Sequence, residues 1–244
     1  SPTEWLGKPL HRLLHPHGGS ISIAQWLLGG ANSLSSAPLL CEYTARNQRI
    51  RTCKLSVRAI EAGTLGFRGT ATDITDELRA LAQIKHLSLH DPLTGLANRN
   101  RLFDCLREHL DRTDRPPLAL LNLDMDRFKP VNDSLGHAVG DKVLKEVAHI
   151  LQQNVRGTDL VARLGGDEFV IVMPDPGDAG DLDQLCERLI DCMQRPMHLD
   201  GNTLYLGVSI GVAWSQPGDE RADELLRHAD IALYAAKAAG RNTW

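Results

Sequence analysis

The chain has 244 residues, 24% of them charged and 42% hydrophobic. That length suits one or two domains, and the ordinary globular composition excludes disordered, collagen-like and purely coiled-coil chains. A net charge of -4 and a pI near 6.2 argue against gripping nucleic acid through its phosphates, which takes a basic surface. Five cysteines, at 41, 53, 105, 186 and 192, form no CxxC pair and leave one over. Reduced thiols in a cytoplasmic setting are therefore favoured over a disulfide scaffold. No apolar run is long enough to predict a membrane span, and the N-terminus lacks the layout of a signal peptide. No membrane contact is expected of this chain itself; an anchor upstream of it stays open.

Residues 1–77 read as irregular and then strand-like. Three candidate strands, Leu40–Arg46, Ile50–Ile60 and Leu65–Thr72, are separated by Asn47-Gln48 and Ala62-Gly63. Turn residues at these spacings predict an antiparallel meander. His11, His15 and His17 lie in a loop-like stretch beside Pro16 and Gly18 and are not read as haem or metal ligands. The cluster Asp73-Ile74-Thr75-Asp76-Glu77 predicts a helix start, because short oxygen side chains satisfy the free N–H groups there. The helix that follows, to Leu89, carries Leu78, Leu81, Ile84 and Leu87 as a narrow apolar stripe. At under two heptads it reads equally as a connector resting one face on a domain or as a short parallel coiled coil between two copies.

Residues 91–244 alternate strands and helices. Leu118–Leu123 is a short, nearly continuous apolar run, the pattern of a strand buried on both faces. Val139, Val143, Val147 and Leu151 predict one helix face, Leu182, Leu185, Leu189 and Met193 a second, and Leu225, Ala229, Leu233 and Ala236 a third. Leu160–Arg163 and Glu168–Met173 flank Gly165-Gly166 as a hairpin. Asp200-Gly201-Asn202 predicts another turn. It precedes a strand through Leu204–Val212 with one bulky face and one of small residues, Gly207, Ser209 and Gly211. The sum is an α+β fold, a sheet with helices packed against it.

The residues with chemistry cluster near predicted strand ends. Asp124 follows the apolar strand, and Asp167 with Glu168 sits at the hairpin tip. If these strands are neighbours, the carboxylates converge and repel unless a cation lies between them. Hard oxygens suit Mg²⁺; solvated acids at strand ends are the plainer reading. Asn132 and Asp141 flank Gly136-His137. An amide and a carboxylate complement the carbonyl and N–H groups of guanine and mismatch adenine; a turn residue and a helix-start carboxylate are the plainer alternatives. Lys237 and Arg241 lie four apart near a helix end, as dipole complements or as phosphate clamps. Arg156 and Asp159 precede the hairpin as a surface ion pair or as a site for a phosphate and a purine.

Together these motifs resemble one family. DPLTGLANR at 91–99, NLDMDRFKPVNDSLGHAVGD at 122–141, RGTDLVARLGGDEF at 156–169, VSIGVA at 208–213 and ADIALYAAKAAGRN at 229–242 are similar to the GGDEF diguanylate cyclases. The resemblance implies a mostly antiparallel sheet flanked by helices, akin to nucleotide cyclases and polymerase palms. It implies condensation of two GTP into cyclic di-GMP with release of two pyrophosphates, by a homodimer that needs Mg²⁺ or Mn²⁺. It makes Asp124, Asp167 and the Met125 carbonyl metal ligands, and Asn132 and Asp141 guanine readers. Lys237, Arg241 and the N–H groups of Phe128 and Lys129 become triphosphate contacts. Asp167 or Glu168 becomes the proton acceptor, with the choice left open, and Arg156 and Asp159 become an RxxD product-inhibition site. Pro130 and Asn100 depart from the family pattern without removing a signature residue.

Residues 5–16, 45–60 and 66–75 resemble the later part of a PAS sensory domain, ending in its DIT motif, with its first two strands absent. The implied order is a partial PAS-like domain at 1–77 with no ligand predicted, a signalling helix at 78–90 and a GGDEF domain at 91–244. The partners implied are GTP and cyclic di-GMP, with no nucleic acid. Many family members continue into a phosphodiesterase domain, so a longer parent protein is an expectation. The alternative is a catalytically silent domain that binds GTP or cyclic di-GMP to regulate such a neighbour.

Overall fold

The computed structural model describes residues 14–17, 23, 25–26, 38–45, 47–61, 65–112, 116–215 and 221–244. Two units are distinguishable, Ser1–Ile84 and Lys85–Trp244.

In the first unit, β1 (His15–Pro16), β2 (Leu39–Thr44), β3 (Ile50–Glu61) and β4 (Leu65–Asp73) form one antiparallel sheet in chain order. The expected meander is present. Gln48 takes the left-handed conformation at the β2–β3 turn, with φ 61°, and Asn47 Oδ1 accepts from the Arg49 N–H at 3.2 Å. The stretch around His15 is a short strand rather than a loop. His17 pairs with Glu42 at 2.8 Å, while His11 and most of the PAS-like stretch at 5–16 lie outside the described residues. Leu14, Ile23, Cys41, Cys53 and Leu55 are buried together.

The predicted helix start is built as the Asp/Thr cluster requires. Asp73 accepts from the Thr75 hydroxyl at 2.6 Å and the Thr75 N–H at 3.0 Å, and also from Tyr43 and Arg51. These donors, Thr75 first, hold its carboxyl well below the usual range. Helix α1 (Thr75–Leu89) follows, and its stripe of Leu78, Leu81, Ile84 and Leu87 is exposed.

The second unit is built on a four-stranded antiparallel sheet in the order β10-β5-β7-β6. Its strands are β5 (Leu118–Asp126), β6 (Leu160–Gly165), β7 (Glu168–Pro174) and β10 (Gly207–Ser215). Its helices are α2 (Arg99–Leu110), α3 (Phe128–Leu135), α4 (His137–Asn154), α5 (Ala179–Gln194) and α6 (Ala222–Ala238). Strand β5 is buried on both faces, as the sequence pattern demands. Its odd face (Ala119, Leu121, Leu123 and Met125) shares a core with Val143, Leu144 and Leu151 of α4 and Leu185 and Leu189 of α5. Its even face starts apolar, with Leu118 and Leu120 packed among Leu102 and Leu106 of α2 and Leu225 and Ala229 of α6. That face then turns polar at Asn122, Asp124 and Asp126.

The small face of β10 admits α6. A Cβ at Gly211 would overlap the Ala229 carbonyl and the Leu233 main chain. The strand expected to run unbroken through Leu204–Val212 is instead two. β9 (Asn202–Leu204) pairs with β8 (Met197–Leu199), whereas β10 begins at Gly207 opposite Asp126. The two segments serve different sheets, and Tyr205 and Leu206 between them belong to neither. The Asp200-Gly201 turn has φ of 51° and 79°, which matches the twist of a tight hairpin.

Candidate active site

The site forms where the even face of β5 meets the tip of the β6–β7 hairpin. Register places Asp124 directly between Glu168 of β7 and Ser209 of β10. The Met125 N–H donates to the Asp167 carbonyl at 3.3 Å, which ties the hairpin tip to β5. The tip depends on glycine: Gly166 has φ 53° and Gly165 φ 149°, a pairing that side-chain-bearing residues resist.

Electrostatics follow from this crowding. Loss of hydration and then the neighbouring Asp124 push the Asp167 carboxyl up, partly offset by a main-chain hydrogen bond, Lys237 and Arg163. Glu168 is pushed up by partial desolvation, then by Asp124, Asp167 and Asp230, against the pull of Lys237. Lys237 is the local counter-charge, with Nζ 2.7 Å from Asp124 Oδ2. Among the described residues no three His, Cys, Asp or Glu side chains converge as a ready-made metal site. The donors at hand are the carboxylates of Asp124 and Asp167 with nearby main-chain oxygens. That hard-oxygen set fits a Mg²⁺ that completes its shell with substrate phosphates and water, and the mutual repulsion of the acids favours a cation there.

The other sequence-predicted residues fall into two places. Two residues beyond Asp126, α3 starts after Arg127, whose φ of 61° turns the chain sharply and whose side chain provides no cap. The first-turn N–H groups of Phe128 and Lys129 therefore have no intrahelical acceptor. Pro130 is tolerated because it stands in that same first turn. Asn132, on α3, packs against Gly140 of α4, where a Cβ would overlap Asn132 Oδ1. This close approach brings Asn132 beside the segment that carries Asp141, an exposed residue of α4.

Arg156 and Asp159 sit before β6, at the end of the hairpin away from its tip. At about 3.3 Å per strand residue they lie about 20 Å from the carboxylates. Asp159 does not pair with the Arg156 guanidinium as expected of a surface ion pair. Its carboxylate accepts from the Arg156 main-chain N–H at 2.8 Å, closing a tight turn.

Several site residues escaped the sequence reading. Arg163 is one-tenth exposed. It donates to the Gly166 carbonyl at 3.0 and 2.8 Å and to Asp91 at 3.0 and 3.1 Å, fastening the hairpin tip to the DPLTG segment. Asn122 donates to Asp230 of α6, and its own Oδ1 is buried without a partner. Asp126 is buried and accepts from Ser209. The available signal was the period of two in Asn122, Asp124 and Asp126, which places all three on one strand face.

The fold agrees with that of known proteins. The family model described as "Diguanylate cyclase, GGDEF domain" matches residues 88–243. The chain is 40% identical over 178 residues to the bifunctional diguanylate cyclase/cyclic di-GMP phosphodiesterase MucR of Pseudomonas aeruginosa, covering 71% of this chain and 25% of that protein. It is also 40% identical over 165 residues to the cyclic di-GMP phosphodiesterase NbdA of the same organism, covering 67% and 21%. The chain spans about a quarter of the length of the curated relatives it matches. Among solved structures, the coiled coil and GGDEF domain of DgcB from Caulobacter crescentus, in complex with c-di-GMP, superposes with a TM-score of 0.64 at 31% identity, covering 69% of this chain and 91% of that one. The GGDEF domain of YfiN from Pseudomonas aeruginosa does so with a TM-score of 0.58 at 39% identity, covering 61% and 94%. By the extent of that match and by the agreement in fold, this chain belongs to the GGDEF domain family.

Proposed function

We propose that the second unit is a diguanylate cyclase that joins two GTP molecules into cyclic di-GMP and releases two pyrophosphates. The observation that carries this reading is the apposition of Asp124, Asp167 and Glu168 with Lys237 at one end of the sheet. Lys237 and Arg241, with the N–H groups of Phe128 and Lys129, bind the triphosphate. Asn132 and Asp141 read the guanine edge, and adenine in place of guanine would present a mismatched set of donors and acceptors to them. Asp124, Asp167 and the Met125 carbonyl would hold Mg²⁺ or Mn²⁺, which when bound neutralises phosphate charge and eases departure of pyrophosphate. Either Asp167 or Glu168 takes the proton from the attacking 3′-hydroxyl, since both carboxyls are held above their ordinary range.

Each protomer presents one GTP, so two copies must face each other. The exposed stripe of Leu78, Leu81, Ile84 and Leu87 on α1 suits a parallel pairing of two such helices. The partial PAS-like part sets that pairing, cyclic di-GMP inhibits through Arg156 and Asp159, and the protein works in the cytoplasm, where GTP is available. No helix among the described residues is long and apolar enough to cross a membrane.

A second reading rests on the relatives, several times longer than this chain and named in part as phosphodiesterases. In it, the domain binds GTP or cyclic di-GMP without turnover and regulates a phosphodiesterase neighbour. Pyrophosphate release from GTP with Mg²⁺, followed from nanomolar to micromolar protein, separates the two. The cyclase reading expects specific activity to rise with concentration and cyclic di-GMP to accumulate. GTP binding without any pyrophosphate release would refute it.

A further inference from the structure

Beyond the end of α6 the chain takes three positive φ angles in succession: Gly240 at 124°, Arg241 at 67° and Asn242 at 52°. Glycine adopts that region freely and asparagine visits it readily, but arginine resists it, so Arg241 is held there by its surroundings. The holding group is Asp126. Its carboxylate is buried, and Oδ2 accepts the Asn242 N–H at 2.9 Å. The Ser209 hydroxyl, itself fully buried, lies 2.9 and 3.1 Å from its two oxygens. Gly207 of β10 packs closely against the same side chains. A Cβ at Gly207 would stand 2.9 Å from Asn242 Oδ1 and 3.2 Å from Asp126 Oδ2. One residue on, Thr243 accepts from the Ile210 N–H at 2.9 Å, so the turn is also stitched to β10.

A buried carboxylate needs this set of donors, and the set leaves Asp126 a role unlike that of Asp124 two residues earlier. Asp124 faces Lys237 across the site. Asp126 is occupied by β10 and by the turn. What the turn presents outward is Arg241: its Nε is 3.8 Å from Asp126 Oδ1, longer than a hydrogen bond, and its side chain is 57% exposed. The guanidinium is thus anchored at its base and open at its end.

We infer that Asp126 is a positioning residue, fixing the Gly240–Asn242 turn so that Arg241 is presented to the substrate phosphates. The inference rests on the reading of Arg241 as a triphosphate contact, and deepens it. Asp126 touches no substrate in this scheme and acts only through Arg241.

The test is a set of double-mutant cycles on the full chain. Binding of a GTP analogue with a methylene between the α and β phosphorus atoms is measured by calorimetry in Mg²⁺, with thermal unfolding as a check on folding. Asp126→Ala should weaken binding about tenfold and Ser209→Ala about threefold, and both effects should fall below about twofold when Arg241 is already alanine. Combined with Asn132→Ala, at the guanine end, Asp126→Ala should act independently and the losses should multiply. Should Asp126→Ala fail to fold, the Ser209→Ala cycle decides alone. Full retention of the Asp126 or Ser209 effect in the Arg241→Ala background, or unchanged binding by the Asp126 variant, overturns the positioning role and leaves the cyclase reading intact. Unchanged binding by Arg241→Ala overturns the phosphate-contact reading and this inference with it. Absence of analogue binding by the wild-type chain overturns the cyclase reading itself.

Discussion

Removing Arg163 tests how far the hairpin tip depends on a single clasp. Its guanidinium serves two acceptors at once, the Gly166 carbonyl at 3.0 and 2.8 Å and the Asp91 carboxylate at 3.0 and 3.1 Å. Both side chains are largely withdrawn from water, at 10% and 16% exposed. Hydrogen bonds to charged groups contribute about 1.5–3 kcal/mol each, and breaking a buried pair costs about 3–5 kcal/mol. Thr94 still donates to Asp91 through its hydroxyl at 2.6 Å and its N–H at 2.9 Å, so the carboxylate is not stranded. Arg163→Ala should therefore cost about 3 kcal/mol, at the lower edge of that range. In a unit of this size that is a fall of about 6–12 °C in Tm.

The pH dependence gives a second readout. Burial pushes the Asp91 carboxyl up, but the Thr94 hydrogen bonds and Arg163 more than offset it, and its pKa lies below the ordinary value. A depressed carboxyl adds stability above its unfolded pKa of about 4 and loses it as pH falls through the folded value. The gap between wild type and Arg163→Ala should be widest at neutral pH and narrow below about pH 4. Denaturant titrations at several pH values measure it. A loss under about 1 kcal/mol at pH 7, in the range of an exposed ion pair, would refute the reasoning, as would a gap that widens on acidification.

Asp124→Ala and Asp167→Ala should each lower Mg²⁺-dependent turnover at least about 100-fold while thermal unfolding stays cooperative, because each removes a ligand expected at the reacting phosphate; a tenth of wild-type rate in either would exclude that residue as a ligand. Glu168→Gln should raise the Tm in EDTA at pH 7, since the folded state crowds the charged form. That gain should vanish as pH falls below the ordinary glutamate value of about 4.3, where the wild-type group is protonated in both states; a lower Tm in the variant would contradict the repulsion. Gly211→Ala should destabilise by about 3 kcal/mol, the upper end for overpacking, because the new methyl meets main-chain atoms of α6 that cannot step aside; an unshifted denaturation midpoint would count against the packing described. Arg156→Ala should relieve inhibition by added cyclic di-GMP, and an unaltered inhibition curve would remove Arg156 from a product site.

Much of the architecture was written in local pattern. The spacing of turn residues placed the meander of the first unit, and the Asp73–Thr75 cluster marked the start of α1 because a serviceable N-terminus needs short acceptors at that spot. Four-residue spacing located α4, α5 and α6, and Gly165-Gly166 located the hairpin. The small face of β10 was visible in the sequence, and the structure shows what it accommodates, α6 lying against Gly211. The resemblance to the GGDEF family, rather than spacing alone, pointed to Asp124, Asp167, Lys237 and Arg241 as candidates for one site.

Partnership across the chain was not written there. Local pattern carries no record of which strand lies beside which, so the break between β9 and β10 became visible only when their separate sheet partners were. For the same reason Asp91, Arg163, Asn122 and Asp230, although they lie inside the quoted motifs, have no role assigned from sequence. Asp126 has no role of its own assigned from sequence; its burial and its hold on Asn242, 116 positions away, belong to the packing of α6 against β5. Sequence determined which functional groups the chain carries and which family it resembles. The tertiary structure decided which groups face each other, because a hydrogen bond between distant residues depends on how helices and strands pack and leaves no period in either segment.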